Sequence, residues 1–160
     1  MTTNTISTKL FQNPMNENKT VEILLVEDNP GDIRLTQEAL KEGQIPHNLH
    51  TVMDGAEAIK FLFREPGYEQ AKRPDLILLD LNLPKKDGRD VLLKIKTDTS
   101  LKRIPVVVLT TSNAESDILK AYDLHANCYI TKPVDFNRFI EVIQSIKTFW
   151  LTTVRLPSDL

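Results

Sequence analysis

The stretch Asp75-Leu76-Ile77-Leu78-Leu79-Asp80 is four apolar residues held between two acids. It is too short for a buried helix, and it reads as a strand covered on both faces. Its second acid falls where the strand stops. Working outward, the same grammar recurs. Val21-Glu22-Ile23-Leu24-Leu25-Val26 is a buried strand that runs into Glu27-Asp28, and Pro105-Val106-Val107-Val108-Leu109 is rich in β-branched residues and ends at Thr110. Cys128-Tyr129-Ile130 is a short strand followed by Lys132-Pro133, and residues 47–52 form a weaker, alternating strand.

Helical patterns separate these strands. Residues 32–40 (DIRLTQEAL) have Pro30 near the first turn and Gly43 just past the end. Asp54 reads as an N-cap, with Glu57 three residues on, for a helix carrying Ala56, Ile59, Phe61 and Leu62. Val91, Leu92 and Ile95 mark a third helix after the turn at residues 83–88, a fourth spans about 113–123, and a fifth spans 134–150. Strict alternation of strand and helix, five times over, predicts a parallel sheet with helices on both faces. Chain length and element count fit an α/β, flavodoxin-like, doubly wound five-stranded sheet of order 2-1-3-4-5 with five flanking helices. Residues 1–19 read as a flexible arm in which Leu10 and Phe11 are the only large apolar pair, residues 20–149 as the folded domain, and residues 150–160 as a tail.

With 160 residues, 41% of them hydrophobic, the chain can bury a substantial core. A net charge of −2 gives no reason to expect a nucleic-acid or membrane partner. Lys85-Lys86 reads as a solvated turn or a kinase-docking feature. Cys128 is the single cysteine, so this chain can form neither an internal disulfide nor a thiolate metal centre of its own. The absence of a long apolar run or a signal-like N-terminus leads to a cytoplasmic expectation. His47, His50 and His125 lack metal-ligand spacing and read as structural or solvated. There is no glycine-rich phosphate loop and no nucleophile elbow.

In the predicted order the first and third strands are neighbours, so Glu27, Asp28 and Asp80 crowd together. Three carboxylates repel when all are ionised, and a hard divalent cation such as Mg²⁺ relieves this. The backbone carbonyl of Asn82 can turn toward the same ion. Lys132, fixed before Pro133, can pair with Asp80 and then with phosphoryl oxygens as a point charge. Pro133 also makes the Lys132–Pro133 bond a candidate for the cis form. Thr110 can hydrogen-bond a phosphoryl oxygen, and Thr111 and Ser112 are rivals for that role. The set suits phosphoryl acceptance on Asp80.

These residues, in this order, resemble the receiver domain of two-component response regulators, over about residues 20–149. The resemblance implies Asp80 as phosphoacceptor, Mg²⁺ held by Asp28, the Asn82 carbonyl and Asp80 with Glu27 acting through water, and Thr110 and Lys132 on the phosphoryl group. It implies Tyr129 as the aromatic switch that turns inward when Thr110 moves. It also implies a protein that promotes its own phosphorylation and dephosphorylation without being a turnover enzyme. Many members have two aspartates in place of Glu27-Asp28, and many have alanine at the position of Thr111, which bears on the lifetime of the acyl phosphate. The excursion at residues 65–92 (EPGYEQAKRPDLILLDLNLPKKDGRDVL), the CYITKP strand at 128–133 and the FWLTTVRLP tail at 149–157 are similar to the regulators paired with cyanobacterial phytochromes. Those relatives are small stand-alone regulators, so the similarity implies a single-domain response regulator with a light-sensing histidine kinase as donor.

Only ten residues follow Trp150, too few for an output domain, so the signal is expected to leave through the surface to an unidentified downstream protein. At about 100° per residue, Phe136, Phe139, Ile140, Val142, Ile143, Ile146, Phe149 and Trp150 span about 180° of the last helix. This is wider than one buried stripe. A homodimer through Val142, Ile146, Phe149, Trp150 and Leu151 is therefore expected. Two rival readings fit the sequence less well. A hydrolase with Asp80 as nucleophile lacks a second acid two residues on, where Asn82 stands. A phosphorylation-independent interaction module would have no need of the intact Asp28, Asp80, Thr110 and Lys132.

Overall fold

The structure, a computed structural model, describes residues 19–42 and 45–159. Nearly all of the expected N-terminal arm, with Leu10 and Phe11, lies outside the described residues, as does Gly43. Five strands, β1 (Val21–Val26), β2 (His47–Val52), β3 (Leu76–Leu79), β4 (Val106–Thr110) and β5 (Cys128–Thr131), form one parallel sheet of order β2-β1-β3-β4-β5. The five helices are α1 (Pro30–Lys41), α2 (Gly55–Leu62), α3 (Gly88–Thr97), α4 (Glu115–Asp123) and α5 (Phe136–Thr148).

Period-two alternation divides the sheet's side chains between two core layers. Leu24, Val26, Ile77, Leu79, Val106 and Val108 face a layer completed by Phe61, Val91, Leu92 and Ile95 from α2 and α3. Val21, Ile23, Leu25, Leu76, Leu78, Val107 and Leu109 face the other, completed by Ala39, Leu40, Phe139, Ile143 and Ile146 from α1 and α5. All four β3 residues are fully buried, which is why the central strand reads as an unbroken apolar run. Each contributes about 1.5–3 kcal/mol through that burial.

The expected Asp54 cap forms and Pro30 opens α1, which Asn29 caps without having been singled out in the sequence. Asn29 accepts from the Asp32 amide at 3.0 Å, and Asp54 accepts from the Glu57 amide at 2.8 Å. Several helix ends differ from the sequence pattern, with α1 longer at both ends and α5 starting two residues later, at Phe136. The fourth helix begins at Glu115, and the last α-helix stops at Thr148, continuing as a π-helical turn over Phe149–Thr153. That turn sends the chain back so that Leu156 is buried in the α1/α5 layer, with Trp150, Leu151 and Val154 packed against it. Part of the wide apolar arc of α5 is thus covered by the chain's own tail. Lys147, buried on α5, donates to the carbonyls of Ala39 and Glu42 at the end of α1, where free carbonyls need donors and a cation is favourable. No helix among the described residues is long and apolar enough to cross a membrane.

Candidate functional site

Parallel pairing decides what meets at the carboxyl edge of the sheet. Val26 of β1 is in register with Leu79 of β3, and the Asp80 amide donates to the Val26 carbonyl at 3.0 Å. Glu27 and Asp80 therefore leave the sheet side by side. Carboxylate oxygens of Glu27, Asp28 and Asp80 all lie within 4.8 Å of one another. Glu27 and Asp80 are buried, whereas Asp28 is exposed. Asn82 lies in the following loop, exposed, its amide donating to Asp80 Oδ1 at 3.2 Å.

Thr110 is paired with Thr131 across the β4–β5 ladder, and its carbonyl accepts from the Lys132 amide at 2.7 Å. This places Lys132 so that its buried ammonium donates to Glu27 Oε2 at 2.5 Å, Asp32 Oδ2 at 2.9 Å and Asp80 Oδ2 at 2.9 Å. The Thr110 hydroxyl is fully buried and is the one buried side-chain polar atom without a hydrogen-bond partner among the described residues. Such a group carries a cost unless a ligand or a motion satisfies it. Thr111 is exposed, and Ser112 spends its hydroxyl on Asp117 Oδ2 at 2.5 Å. Tyr129 packs against the α2/α3 core layer, with its Oη donating to the Ser112 carbonyl at 2.8 Å. No described peptide bond is cis, so the Lys132–Pro133 bond is trans, contrary to the cis candidate.

One cation thus faces four carboxylates at this edge. Burial pushes the Glu27 carboxyl up to about 7 against the opposing Lys132 hydrogen bond, and the Asp80 charge adds to the rise. Burial also works against the Lys132 ammonium, but hydrogen bonds to Glu27 and Asp32 and the charges of Glu27 and Asp80 hold its proton more firmly than usual. The ammonium stays charged, and it is mainly burial, helped by the Asp80 charge, that raises the proton affinity of Glu27. An oxygen-only donor set with surplus negative charge and an exposed carboxylate at Asp28 fits a hard divalent cation.

Asp32 is the site residue that the sequence reading did not include. It was assigned to the first helix on periodicity. Its position in the first turn of α1, three residues beyond the Asn29 cap, carries its carboxylate back over the sheet edge to Lys132. The histidines are apart from this chemistry: His47 Nδ1 meets the Ile45 carbonyl, His50 stacks on Phe61 at 4.5 Å, and exposed His125 follows α4 with φ of 68°. Cys128 is free and half-buried. Of the apolar residues expected at a dimer contact, Ile146 is buried within the chain's own core, Val142, Trp150 and Leu151 are half-buried against it, and Phe149 is 49% exposed.

A parallel sheet of this order with acids, threonine and lysine at these strand ends defines a class, and comparison agrees. Residues 23–144 match the response regulator receiver domain, and the chain belongs to that family. It is 54% identical over 136 residues to response regulator Rcp1 of Synechocystis sp., covering 85% of this chain and 92% of that one. Among solved structures it is similar to the phosphorylated cyanobacterial phytochrome response regulator RcpA, with 57% identity, TM-score 0.85, and coverage of 87% of this chain and 99% of that one. It is also similar to the Mn²⁺-bound form of Rcp1, with 54% identity, TM-score 0.84, and coverage of 86% and 99%.

Proposed function

We propose that the chain accepts a phosphoryl group on Asp80 from the phosphohistidine of a phytochrome-type histidine kinase and passes the signal on through its surface. The observation that carries this reading is the buried Lys132 ammonium, 2.9 Å from Asp80 Oδ2. In the reaction an Asp80 oxygen forms the new O–P bond, the N–P bond of phosphohistidine breaks, and the imidazole leaves with the electron pair. Both Asp80 oxygens already accept one hydrogen bond, and each keeps a further lone pair for the attack. Lys132 offsets charge that spreads over the phosphoryl oxygens, and Thr110 supplies its unpaired hydroxyl. A divalent cation, for which we propose Mg²⁺, would be held by Asp28, Asp80 and the Asn82 carbonyl, with Glu27 acting through water, and would neutralise those oxygens further. Tyr129 then reports the change to the outer surface.

The test is intact mass after incubation with Mg²⁺ and a small acyl phosphate. Wild type is expected to gain a single phosphoryl adduct that is lost when the metal is chelated, and Asp80→Asn is expected to gain none. A folded wild-type protein that takes no adduct from this donor or from a phosphohistidine kinase would leave only the interaction-module reading.

We further propose that the protein pairs with a second copy through the end of α5 and its tail. Phe149 forms the centre of that surface, Val142, Trp150 and Leu151 flank it, and Ile146 supports it from the core. Sedimentation equilibrium is expected to show a dimer for wild type and at least a tenfold weaker one for Phe149→Asp, the loss that a charge at the centre of an apolar contact brings. An unchanged dimer would remove Phe149 from the contact.

A further inference from the structure

The start of α4 is held in an unusual way. Its N-cap position is Ala114, which offers no side-chain cap to the free amides of the first turn. Asp117, in that first turn, instead reaches across to α3: its Oδ1 accepts from Arg89 Nη2 at 2.6 Å, and its Oδ2 accepts from the Ser112 hydroxyl at 2.5 Å. Arg89 is itself braced, with Nη1 donating to both Asp87 oxygens at 3.1 Å while Asp87 caps α3. A guanidinium fixed at one end by its own helix cap is a preorganised fork for the second carboxylate.

The fork stands at a sensitive place. Gly88, the residue before Arg89, donates its amide to the Leu81 carbonyl at 2.9 Å and packs on the Asp80 peptide. A continuous set of contacts therefore runs from the Asp80 peptide through Arg89 and Asp117 to Ser112, whose carbonyl receives Tyr129 Oη at 2.8 Å. Thr110, two residues before Ser112, ends the strand with its hydroxyl buried and unpaired. Ser112 is the hinge of this arrangement, because its side chain is tied to α4 and its carbonyl to Tyr129.

We propose that Arg89 is a positioning residue of the phosphorylation switch: through Asp117 and Ser112 it holds the β4–α4 loop and raises the share of the inward Tyr129 arrangement, which a phosphoryl group then makes dominant. This rests on the reading of Asp80 as phosphoacceptor. With the loop held, Thr110 stays at the sheet edge and a phosphoryl group meets a receiver already close to its closed form. Without Arg89, Asp117 and Ser112 are free to move, Tyr129 loses its acceptor, and closure has to be driven by the phosphoryl contacts alone.

The experiment uses the full chain with 3-fluorotyrosine in place of tyrosine and reads fluorine resonances without any phosphoryl donor. Tyr129 is assigned with Tyr129→Phe, and Tyr68, which hydrogen-bonds Glu57 far along the chain, serves as an internal check on the fold. Arg89→Ala and Asp117→Asn are each expected to move the Tyr129 resonance toward that of a solvated ring. The inward-to-outward ratio should fall roughly five- to tenfold, as for loss of a charge-assisted hydrogen bond at a partly exposed site. Arg89→Lys, which keeps the charge and loses the fork, should fall between; it also serves if Arg89→Ala does not fold. In protein carrying the adduct, Arg89→Ala should shorten the acyl-phosphate lifetime several-fold. An unmoved Tyr129 resonance in a folded variant overturns the proposal, and the measurement itself does not depend on whether Asp80 accepts a phosphoryl group. A lowered melting point with Tyr129 unmoved would mean that the pair only braces α4, and it overturns the proposal equally.

Discussion

Replacing Lys132 with methionine is expected to destabilise the metal-free protein by about 3–5 kcal/mol at pH 7.5, the cost of stranding buried charges when one partner of an ion pair is removed. Methionine keeps most of the stem's packing and removes only the ammonium, so the loss reports charge. In the native site that ammonium donates to Glu27, Asp32 and Asp80, of which Glu27 and Asp80 are buried. Without it those carboxylates have two ways out. They can take up protons, which the Glu27 carboxyl does readily because burial already pushes it up to about 7. Or they can recruit a divalent cation. Both have a signature. A carboxyl whose folded value is raised binds its proton more tightly in the native state, so its contribution is greatest at low pH and is lost as pH rises through the folded value. The gap between Lys132→Met and wild type should therefore narrow at pH 5.5 and widen toward pH 7.5, and millimolar Mg²⁺ should close part of it at pH 7.5. Urea unfolding in chelator at the two pH values, repeated with Mg²⁺, measures all three. A loss under about 1 kcal/mol at pH 7.5, in the range of exposed ion pairs, would mean that water reaches these carboxylates despite their burial.

Why Lys132 was legible in the sequence while one of its partners was not follows from what patterns encode. The runs ending at Val26, Leu79, Thr110 and Thr131 locate strand ends to within a residue, and parallel connections bring all such ends to one edge. Residues attached to those ends, Glu27, Asp28, Asp80, Thr110 and Lys132, are thereby placed together without any knowledge of side-chain direction. Asp32 is attached to a helix, and the period of a helix says which face a residue occupies, not how far its first turn overhangs the sheet. Arg89 and Asp117 meet across 28 positions, joining two helices whose relative placement no local pattern fixes. The last helix shows the opposite problem. Its 180° apolar arc was legible, but not how much of it the chain covers itself, because the reversal at Phe149–Thr153 has no proline or glycine to announce it. Leu156 enters the core by that reversal, which leaves Phe149 and, at 70% exposure, Phe136 as the outward remainder.

Gly88→Ala is expected to cost about 3 kcal/mol or more and to impair phosphoryl uptake as well, although alanine is the better helix former. A Cβ at residue 88 would lie 2.3 Å from the Asp80 carbonyl oxygen, 2.6 Å from Leu81 Cα and 2.9 Å from the Leu81 carbonyl oxygen. All three are backbone atoms, so no rotamer change relieves the contact, and overpacking of this kind costs about 1–3 kcal/mol even where side chains can adjust. Helix α3 cannot simply withdraw, because Val91, Leu92 and Ile95 are fully buried beneath it. The strain must then fall partly on the Asp80–Leu81 peptide, moving the carboxylate proposed to receive the phosphoryl group. Misplacement by about 1 Å can cost on the order of a hundredfold in rate. Gly67→Ala is the matched control: its φ of 98° strains an alanine by about 1–2 kcal/mol, but nothing lies within 4 Å of its Cβ, and it sits away from the site. Thermal melting should show a loss for both variants, larger for Gly88→Ala. Intact-mass time courses with acyl phosphate should slow for Gly88→Ala alone. If Gly88→Ala melts with wild type and takes up phosphoryl at the same rate, then α3 can shift without dragging the Asp80 peptide. The close packing of that helix on the Asp80–Leu81 peptide would then have no part in setting the geometry of the site.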